Sequence, residues 1–339
     1  MKTIKYILLL MLILIIGFSI YIAVQPNSFD VTRTKTINAP QSVVYNNIID
    51  FKNWEAWSSW KEENPETIIT LAAQTEGIGG AYAWEDNDDQ GSMTTTGAVP
   101  MTSITQDMEF GDNQKSEITW NLKPNEDGAT EVTWNIVGKK LPFGFKIFST
   151  LMGGIEEQIG PHFERGLTLL DSVLQAEMKV YSINVKGATQ HSGGYYLYNT
   201  TSCKFGEFEQ NRKTMLPKVG AYATTHNVTM AGPPFILYHK WDKENDAIIF
   251  SCCVPTNSKI IAAESGILTG KLESFRTLKT VLKGDYKNLK EAWEATMKYS
   301  ADNNFEIIEG GSMLETYVTD RMSKPNPADW ITEIYVEIK

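Results

Sequence analysis

The chain opens with a long apolar run. Residues 6–24, YILLLMLILIIGFSIYIAV, are 19 residues without a charge. As a helix the run measures roughly 29 Å, about the thickness of one membrane hydrocarbon core. A cleaved signal peptide is the alternative, but its apolar region is usually shorter and ends in small residues at alternate positions, whereas Tyr21 precedes Ala23 here. The pattern favours an uncleaved transmembrane anchor.

Basic residues beside that run predict its orientation. Lys2 and Lys5 precede it, and residues 25–30 contain no basic residue. Because cytoplasmic flanks carry an excess of Lys and Arg, residues 1–5 are predicted to form a cytoplasmic tail, although Arg33 and Lys35 lie in the opposite flank. For a bacterial cell this means a single-pass protein of the cell (inner) membrane. Its folded part would lie on the extracytoplasmic side.

Several stretches within residues 28–139 alternate between apolar and polar positions. The stretch DVTRTKTI has the pattern of a strand, and Pro40 stands near the first position of a short helix. Two later stretches alternate in the manner of half-buried antiparallel strands. Their apolar positions are Ile118, Trp120 and Leu122 in one stretch, and Val132, Trp134 and Ile136 in the other.

A helical period replaces the alternation after residue 150. From Leu151 to about Met178 apolar residues recur every three to four positions, with Pro161 as an expected kink. Together with the preceding strands, this predicts a curved sheet with one long helix packed on it.

Residues 179–339 show a weak internal repeat. Each half has the order strand, helix, strand, strand, with the helices at about 207–226 and 286–303. A duplicated β-α-β-β unit forms either two sheets or one continuous sheet, with both helices on one side and a cleft where the halves meet. The predicted fold class is therefore α+β, in two domains behind one transmembrane helix.

Charge and composition narrow the function. Beyond Lys2 and Lys5 the chain has 29 basic and 41 acidic residues, a net charge of −12, which argues against a nucleic-acid partner. No GxSxG, HExxH, CxxC or phosphate-binding glycine loop occurs, so neither a cofactor nor a metal is predicted. Cys203, Cys252 and Cys253 are expected to be small core residues, with a bridge from Cys203 to one of the others as the alternative.

Several motifs in residues 28–176 resemble the START-like (SRPBCC, polyketide cyclase/dehydrase) superfamily. They are INAPQSVVYNNIIDFKNWEAWSSW, GIGGAYAWE, GSMTTT, TEVTWNIVG and FERGLTLLDSVL, in that order. The resemblance implies a helix-grip fold around an apolar tunnel that binds lipids, hormones or polyketides. Trp84, Trp120 and Trp134 are candidates for the tunnel lining, with core packing as the alternative. A cyclase would also need a buried acid or base, and His162 is the one histidine of this region.

Residues 179–339 resemble the GyrI-like, or AraC-type effector-binding, domain. The matching motifs are GPPFILYHKWD, DAIIFSCCVPT, GDYKNLKEAWEA, LETYVTD and TEIYVEIK. The resemblance implies a cleft for small aromatic or cationic molecules, with a central carboxylate on a Glu-x-Tyr strand, here Glu315 and Tyr317. Under strict alternation these two share one face of the strand. The aromatic residues expected nearby are Tyr286, Trp293 and Trp330, and Glu333 is a weaker candidate.

Three functions remain open from the sequence. The leading hypothesis is a membrane-anchored sensor, carrier or sequestering protein that binds small hydrophobic, amphipathic, aromatic or cationic molecules. The alternative is a hydrolase or cyclase in which Glu315 is the base or nucleophile and Tyr317 the acid or orienting donor. The third is an interaction scaffold whose cavities are filled by its own side chains.

Overall fold

The structure, a computed structural model, describes residues 2–86, 90–111, 114–262 and 266–339. Its contacts divide the chain into two compact units, Met1–Ala176 and Glu177–Lys339. Each unit contains one antiparallel sheet.

The apolar run forms helix α1 (Lys2–Ala23). Its segment Ile4–Ala23 is long and apolar enough to cross a membrane, with a mean hydropathy of 2.7. Most of its side chains are exposed. The helix ends one residue before the predicted Val24.

The sheet of the first unit has seven strands in the order β1-β7-β6-β5-β4-β3-β2. They are β1 (Ser28–Ile37), β2 (Ile68–Leu71), β3 (Ala81–Glu85), β4 (Gln90–Val99), β5 (Ser103–Phe110), β6 (Gln114–Pro124) and β7 (Thr130–Lys139). Strands β2 and β5 were not predicted. The antiparallel strands β6 and β7 were predicted, and their register pairs Trp120 with Trp134.

The helices of the first unit are α2 (Gln41–Ile49), α3 (Ser59–Glu63), α4 (Phe143–Leu151) and α5 (Ile155–Glu177). The prediction that the long helix begins at Leu151 was wrong. Gly153 and Gly154 have φ values of 88° and 106°, a conformation outside the α-helical range, so they separate α4 from α5. Pro161 lies inside α5, as predicted.

Tryptophan rings fill the space between the first sheet and α5. Trp120 and Trp134 stack at a centroid distance of 4.2 Å, and Trp134 stacks on Phe163 of α5 at 3.8 Å. Trp54 and Trp57 contact both of these tryptophans edge-on. Contacts among these aromatic rings therefore form the core of the unit.

The second unit has one continuous sheet in the order β12-β9-β11-β10-β14-β15-β13-β8. Its strands are β8 (Ser182–His191), β9 (Gly194–Cys203), β10 (Phe235–Asp242), β11 (Ala247–Thr256), β12 (Leu268–Leu272), β13 (Phe275–Lys283), β14 (Met313–Tyr317) and β15 (Ile331–Glu337). Its helices are α6 (Phe208–Thr225) and α7 (Leu289–Asp302).

The strand order is symmetric about the β10–β14 pair. From the outside inwards, β9, β11 and β10 of the first half mirror β13, β15 and β14 of the second. The predicted β-α-β-β repeat lacked one strand in each half, β8 and β12. Each of these pairs with a strand of the other half, β8 with β13 and β12 with β9, so the two halves exchange their edge strands.

Both helices cover the same face of this sheet. Met215 and Val219 of α6 pack in one cluster with Ile236 of β10, and Ala292 of α7 packs with Ile334 of β15. Ile236 and Ile334 are the register partners of Glu315. Glu315 therefore faces the helix layer at the junction of the two halves.

The cysteines are free. Cys252 and Cys253 are fully buried and belong to different apolar clusters on opposite faces of the sheet, as expected for neighbours in a strand. Cys203 is partly buried and also forms no disulfide. The three cysteines therefore match the prediction of small packed residues and not the alternative of a disulfide from Cys203.

Candidate functional site

A buried carboxylate lies at the centre of the second unit. Glu315 is the third residue of β14 and is only 3% exposed to solvent. A carboxylate at this depth needs hydrogen-bond donors, because burial without partners is very costly.

Three aromatic side chains supply those donors. Trp293 Nε1 donates to Glu315 Oε1 at 2.5 Å, and the Tyr317 hydroxyl donates to Oε2 at 2.9 Å. The Tyr238 hydroxyl makes a third side-chain hydrogen bond to Glu315. Tyr238 comes from the first half of the repeat and the other two from the second half. The carboxylate therefore joins the two halves.

Two further rings extend the cluster beyond Tyr317. The ring of Tyr286 lies 5.2 Å from that of Tyr317 and 4.8 Å from that of Trp330. Trp330 Nε1 donates to the carbonyl of Lys324. We refer to the following set as the aromatic cage: Tyr238, Tyr286, Trp293, Glu315, Tyr317 and Trp330.

An arginine side chain occupies the cage. The Arg212 guanidinium carbon lies 5.1 Å from the ring centroid of Tyr317 and 5.3 Å from that of Tyr286. Arg212 is 7% exposed, and its one ion pair in the described chain is with Glu209, at 2.8 Å. A second cation, Arg321, lies over Tyr286 and Trp330 at 5.7 and 5.2 Å. All four distances between guanidinium carbons and ring centroids fall within the range of cation–π attraction.

Burial and hydrogen bonding oppose one another at Glu315. Burial raises the pKa of its carboxyl group, while the donors Trp293, Tyr238 and Tyr317 and the charge of Arg212 lower it, and the net shift is upward. Burial, with the nearby Glu315 charge, also raises the pKa of the Tyr317 hydroxyl, which remains a proton donor at neutral pH. Such shifts are common at functional sites.

The structure brings together the site residues predicted in the second unit, with the exception of the weaker candidate Glu333. Glu315 and Tyr317 share a face, and Tyr286, Trp293 and Trp330 lie around them. Glu333 is opposite Thr316 in the register, on the other face of the sheet, where it pairs with Lys279 at 2.8 Å. It is not part of the cage.

Sequence reasoning missed Arg212 and Tyr238. The signal for Arg212 was available, because residues 208, 212, 215, 219 and 222 recur at helical spacing and all but Arg212 are apolar or aromatic. A charge at a core position of an amphipathic helix indicates a buried partner or a site. Tyr238 was hidden in an apolar strand, FILYHKW, whose register with β14 could not be read locally.

The candidates in the first unit lie elsewhere. Trp120 and Trp134 are buried core residues, and Trp84 is half-buried beside Tyr82. His162 stacks on Trp60 with a centroid distance of 4.8 Å, and its Nε2 lies 3.4 Å from a Glu63 oxygen. The indole nitrogens of Trp57 and Trp134 are buried without a hydrogen-bond partner among the described residues.

The fold and this site define an α+β chain whose second unit is built around a buried carboxylate in an aromatic cage. Residues 173–339 match one protein family, the GyrI-like small molecule binding domain. The second unit is therefore a GyrI-like domain. No curated protein matches the sequence.

Solved structures with similarity to part of this chain include the C-terminal domain of EcmrR, which is 18% identical. The match covers 47% of this chain and 98% of that domain, with a TM-score of 0.40. A Chromobacterium violaceum protein is also 18% identical and covers 44% of this chain and 97% of its own, with a TM-score of 0.33. A protein solved with bound tetraphenylphosphonium is 11% identical and covers 46% of this chain and 94% of its own, with a TM-score of 0.36.

Proposed function

We propose that this protein captures small molecules with an apolar or aromatic body in the aromatic cage of its second unit. The observation that carries the proposal is Glu315, a buried carboxylate held by donors from both halves of the repeat. Aromatic rings supply large apolar contact area, and a few fixed polar groups supply orientation, which is the usual composition of a small-molecule site. The family to which residues 173–339 belong supports this assignment.

The test is native mass spectrometry of the full chain, purified in mild detergent and exposed to a panel of aromatic and amphipathic compounds. We expect a small-molecule adduct on the wild type that Glu315→Gln reduces at least tenfold. The amide would turn one acceptor into a donor facing Trp293 or Tyr317, and so disrupt the cage.

Glu333→Gln is the matched control, because it makes the same change on the neighbouring strand at the other face of the sheet. It should leave the adduct intact. An adduct that survives Glu315→Gln unchanged would place the ligand outside the cage.

We further propose that α1 anchors the chain in a membrane, with residues 1–5 in the cytoplasm and the two units on the extracytoplasmic side. The apolar, exposed segment Ile4–Ala23 and the positions of Lys2 and Lys5 at its N-terminal end support this arrangement. Anchoring would hold the cage beside a membrane, where apolar and amphipathic compounds concentrate.

The first unit supports a START-like, SRPBCC-type assignment through its antiparallel sheet and single long C-terminal helix. Its tryptophans pack on one another in this structure, with Trp120 and Trp134 in the core. We therefore assign ligand capture to the second unit rather than to a tunnel lined by Trp84, Trp120 and Trp134.

A hydrolase is the second candidate function, favoured by one observation. Burial raises the pKa of Glu315, and the Tyr317 hydroxyl lies 2.9 Å from its Oε2, so a general base and a proton donor adjoin. Incubation of the compound panel with the full chain would reveal hydrolysis as products whose masses sum to that of the substrate plus one water, or as one product heavier by one water where a ring is opened. Activity should disappear in Glu315→Gln, and products formed equally by that variant would exclude Glu315 as the base.

A further inference from the structure

Arg212 stands where a cationic ligand would be expected. A ligand cation would be attracted to the faces of Tyr286 and Tyr317 and to the charge of Glu315. The Arg212 guanidinium already lies over both rings, at 5.3 and 5.1 Å, and its charge interacts with that of Glu315. The cage therefore contains its own cation.

The charges around the cage are balanced without a ligand. The guanidiniums of Arg212 and Arg321 match the carboxylates of Glu315 and Glu209 in number. A further cation would be repelled by Arg212 at close range, in a site where little water screens the charges. An aromatic cation could bind only after displacing a buried side chain.

The Nε atom of Arg212 is a further hydrogen-bond donor in the cage. It is buried and has no partner within the part of the chain that the structure describes. A terminal nitrogen of the same guanidinium donates to Glu209 Oε2. A buried donor without an acceptor is costly, and an acceptor group on a ligand would satisfy it.

We propose that Arg212 determines the ligand class of the cage, so that the site takes an aromatic molecule bearing an anionic acceptor group, such as an aromatic carboxylate, and excludes aromatic cations. This inference rests on the proposed binding function. The aromatic body would pack among the cage rings, and the acceptor would bind Arg212, whose charge strengthens the hydrogen bond. The ligand class proposed here differs from the cationic ligands that were expected from the sequence.

The experiment is isothermal titration calorimetry of the full chain in neutral detergent, with empty micelles as blank. The probes are 2-naphthoate and 2-naphthyltrimethylammonium, which share one ring system and differ in charge. We expect the wild type to bind 2-naphthoate about tenfold or more tightly than the cation, the effect of one charge-assisted hydrogen bond. Binding is assigned to the cage by its loss in Tyr286→Ala.

Variants at Arg212 separate its charge from its Nε donor. Arg212→Met should reverse the preference, because it removes the resident cation and leaves the two carboxylates, Glu315 and Glu209, with Arg321 as the remaining guanidinium of the four charges. Arg212→Lys should still exclude the cation but weaken 2-naphthoate, since lysine lacks the second fixed donor. Lys213→Met, the same loss of charge at the next, exposed residue of α6, is the control and should behave as wild type.

Tighter binding of the cation than of 2-naphthoate by the wild type would overturn this inference and leave the proposed function standing. An Arg212→Lys variant with wild-type affinity for 2-naphthoate would overturn the role of Nε. Failure of the wild type to bind either probe would contradict both the inference and the proposed function.

Discussion

Glu315 shows how one residue can couple stability to pH. Its pKa in the folded chain lies above the ordinary carboxyl value, so the folded state binds a proton more tightly than the unfolded state does. The stability contributed by the protonated form is fully present below the unfolded pKa, about 4.3, and is lost as pH rises through the higher folded pKa.

We therefore predict that Glu315→Gln reduces the sensitivity of the chain to rising pH. The difference in thermal midpoint between wild type and Glu315→Gln should shift in favour of the variant as pH rises from about 4 to about 7. Scanning calorimetry across this range measures it, with Glu333→Gln as control. A constant difference between the two midpoints would show that Glu315 titrates alike in both states.

The tryptophans of the first unit provide a second residue-scale prediction. Trp120 Nε1 donates to Gln106 Oε1 at 3.0 Å, whereas Trp134 Nε1 is buried without a hydrogen-bond partner among the residues that the structure describes. Trp120→Phe should therefore lower the free energy of unfolding by about 1 kcal/mol more than Trp134→Phe, since both lose a similar ring volume but only one leaves a buried acceptor unpaired. Chemical denaturation of the two variants compares them directly.

Equal losses in the two variants, or a larger loss in Trp134→Phe, would contradict this prediction. They would mean that the Trp134 indole has an acceptor, such as a bound molecule, in the folded protein.

The residues that were predictable are those with a local signal. Glu315 and Tyr317 are two positions apart on one strand and so share a face, and Trp293 lies at helical spacing from its apolar neighbours. Arg212 and Tyr238 reach the same cluster from the other half of the repeat, through the β10–β14 register and the packing of α6. Such long-range contacts have no sequence period.

At the scale of elements, the Trp84 ring packs directly against Gly91 of the neighbouring strand β4. A Cβ on Gly91 would lie 2.2 Å from the Trp84 ring and 2.6 Å from the backbone oxygen of Glu109. Backbone cannot give way as a side-chain end can, so strand β4 requires glycine there. The half-buried Trp84 thus has a structural role on the sheet.

We predict that Gly91→Ala destabilises the protein by about 1–3 kcal/mol through overpacking. Gly97→Ala on the same strand is the control, because its nearest contact is Thr105 at 3.5 Å, an ordinary van der Waals distance. Thermal unfolding of the two variants distinguishes them. A Gly91→Ala variant as stable as Gly97→Ala would mean that both the Trp84 ring and the backbone at Glu109 can move away, and would contradict this prediction.

Element types were more predictable than element boundaries and pairings. Helical periodicity indicated α5, α6 and α7, but the left-handed Gly153 and Gly154 moved the start of α5 to Ile155. The repeat was visible, whereas its edge strands β8 and β12 were not, since each pairs with the distant half. A strand that pairs with the other half of a repeat leaves no local sequence signature of that pairing.

At the scale of the whole molecule, helix α1 is proposed to anchor the chain and the second unit to capture the ligand. We predict that the full chain remains in the membrane fraction after alkaline carbonate extraction, whereas a chain lacking residues 1–25 is released. Protease added outside intact spheroplasts should digest both units. Recovery of the full chain in the soluble fraction, or protection of both units from that protease, would contradict the proposed anchor or its orientation.

The most direct test of the central claim is the indole N–H region of the NMR spectrum, where each of the nine tryptophans gives one signal. Trp293 and Trp330 are assigned from their Phe variants, and 2-naphthoate is then titrated into the full chain in detergent. Because Trp293 Nε1 bonds Glu315 directly, we predict shifts of the Trp293 and Trp330 signals, with those of Trp120 and Trp134 unchanged. Shifts confined to Trp120 and Trp134 would place binding in the first unit and contradict the account.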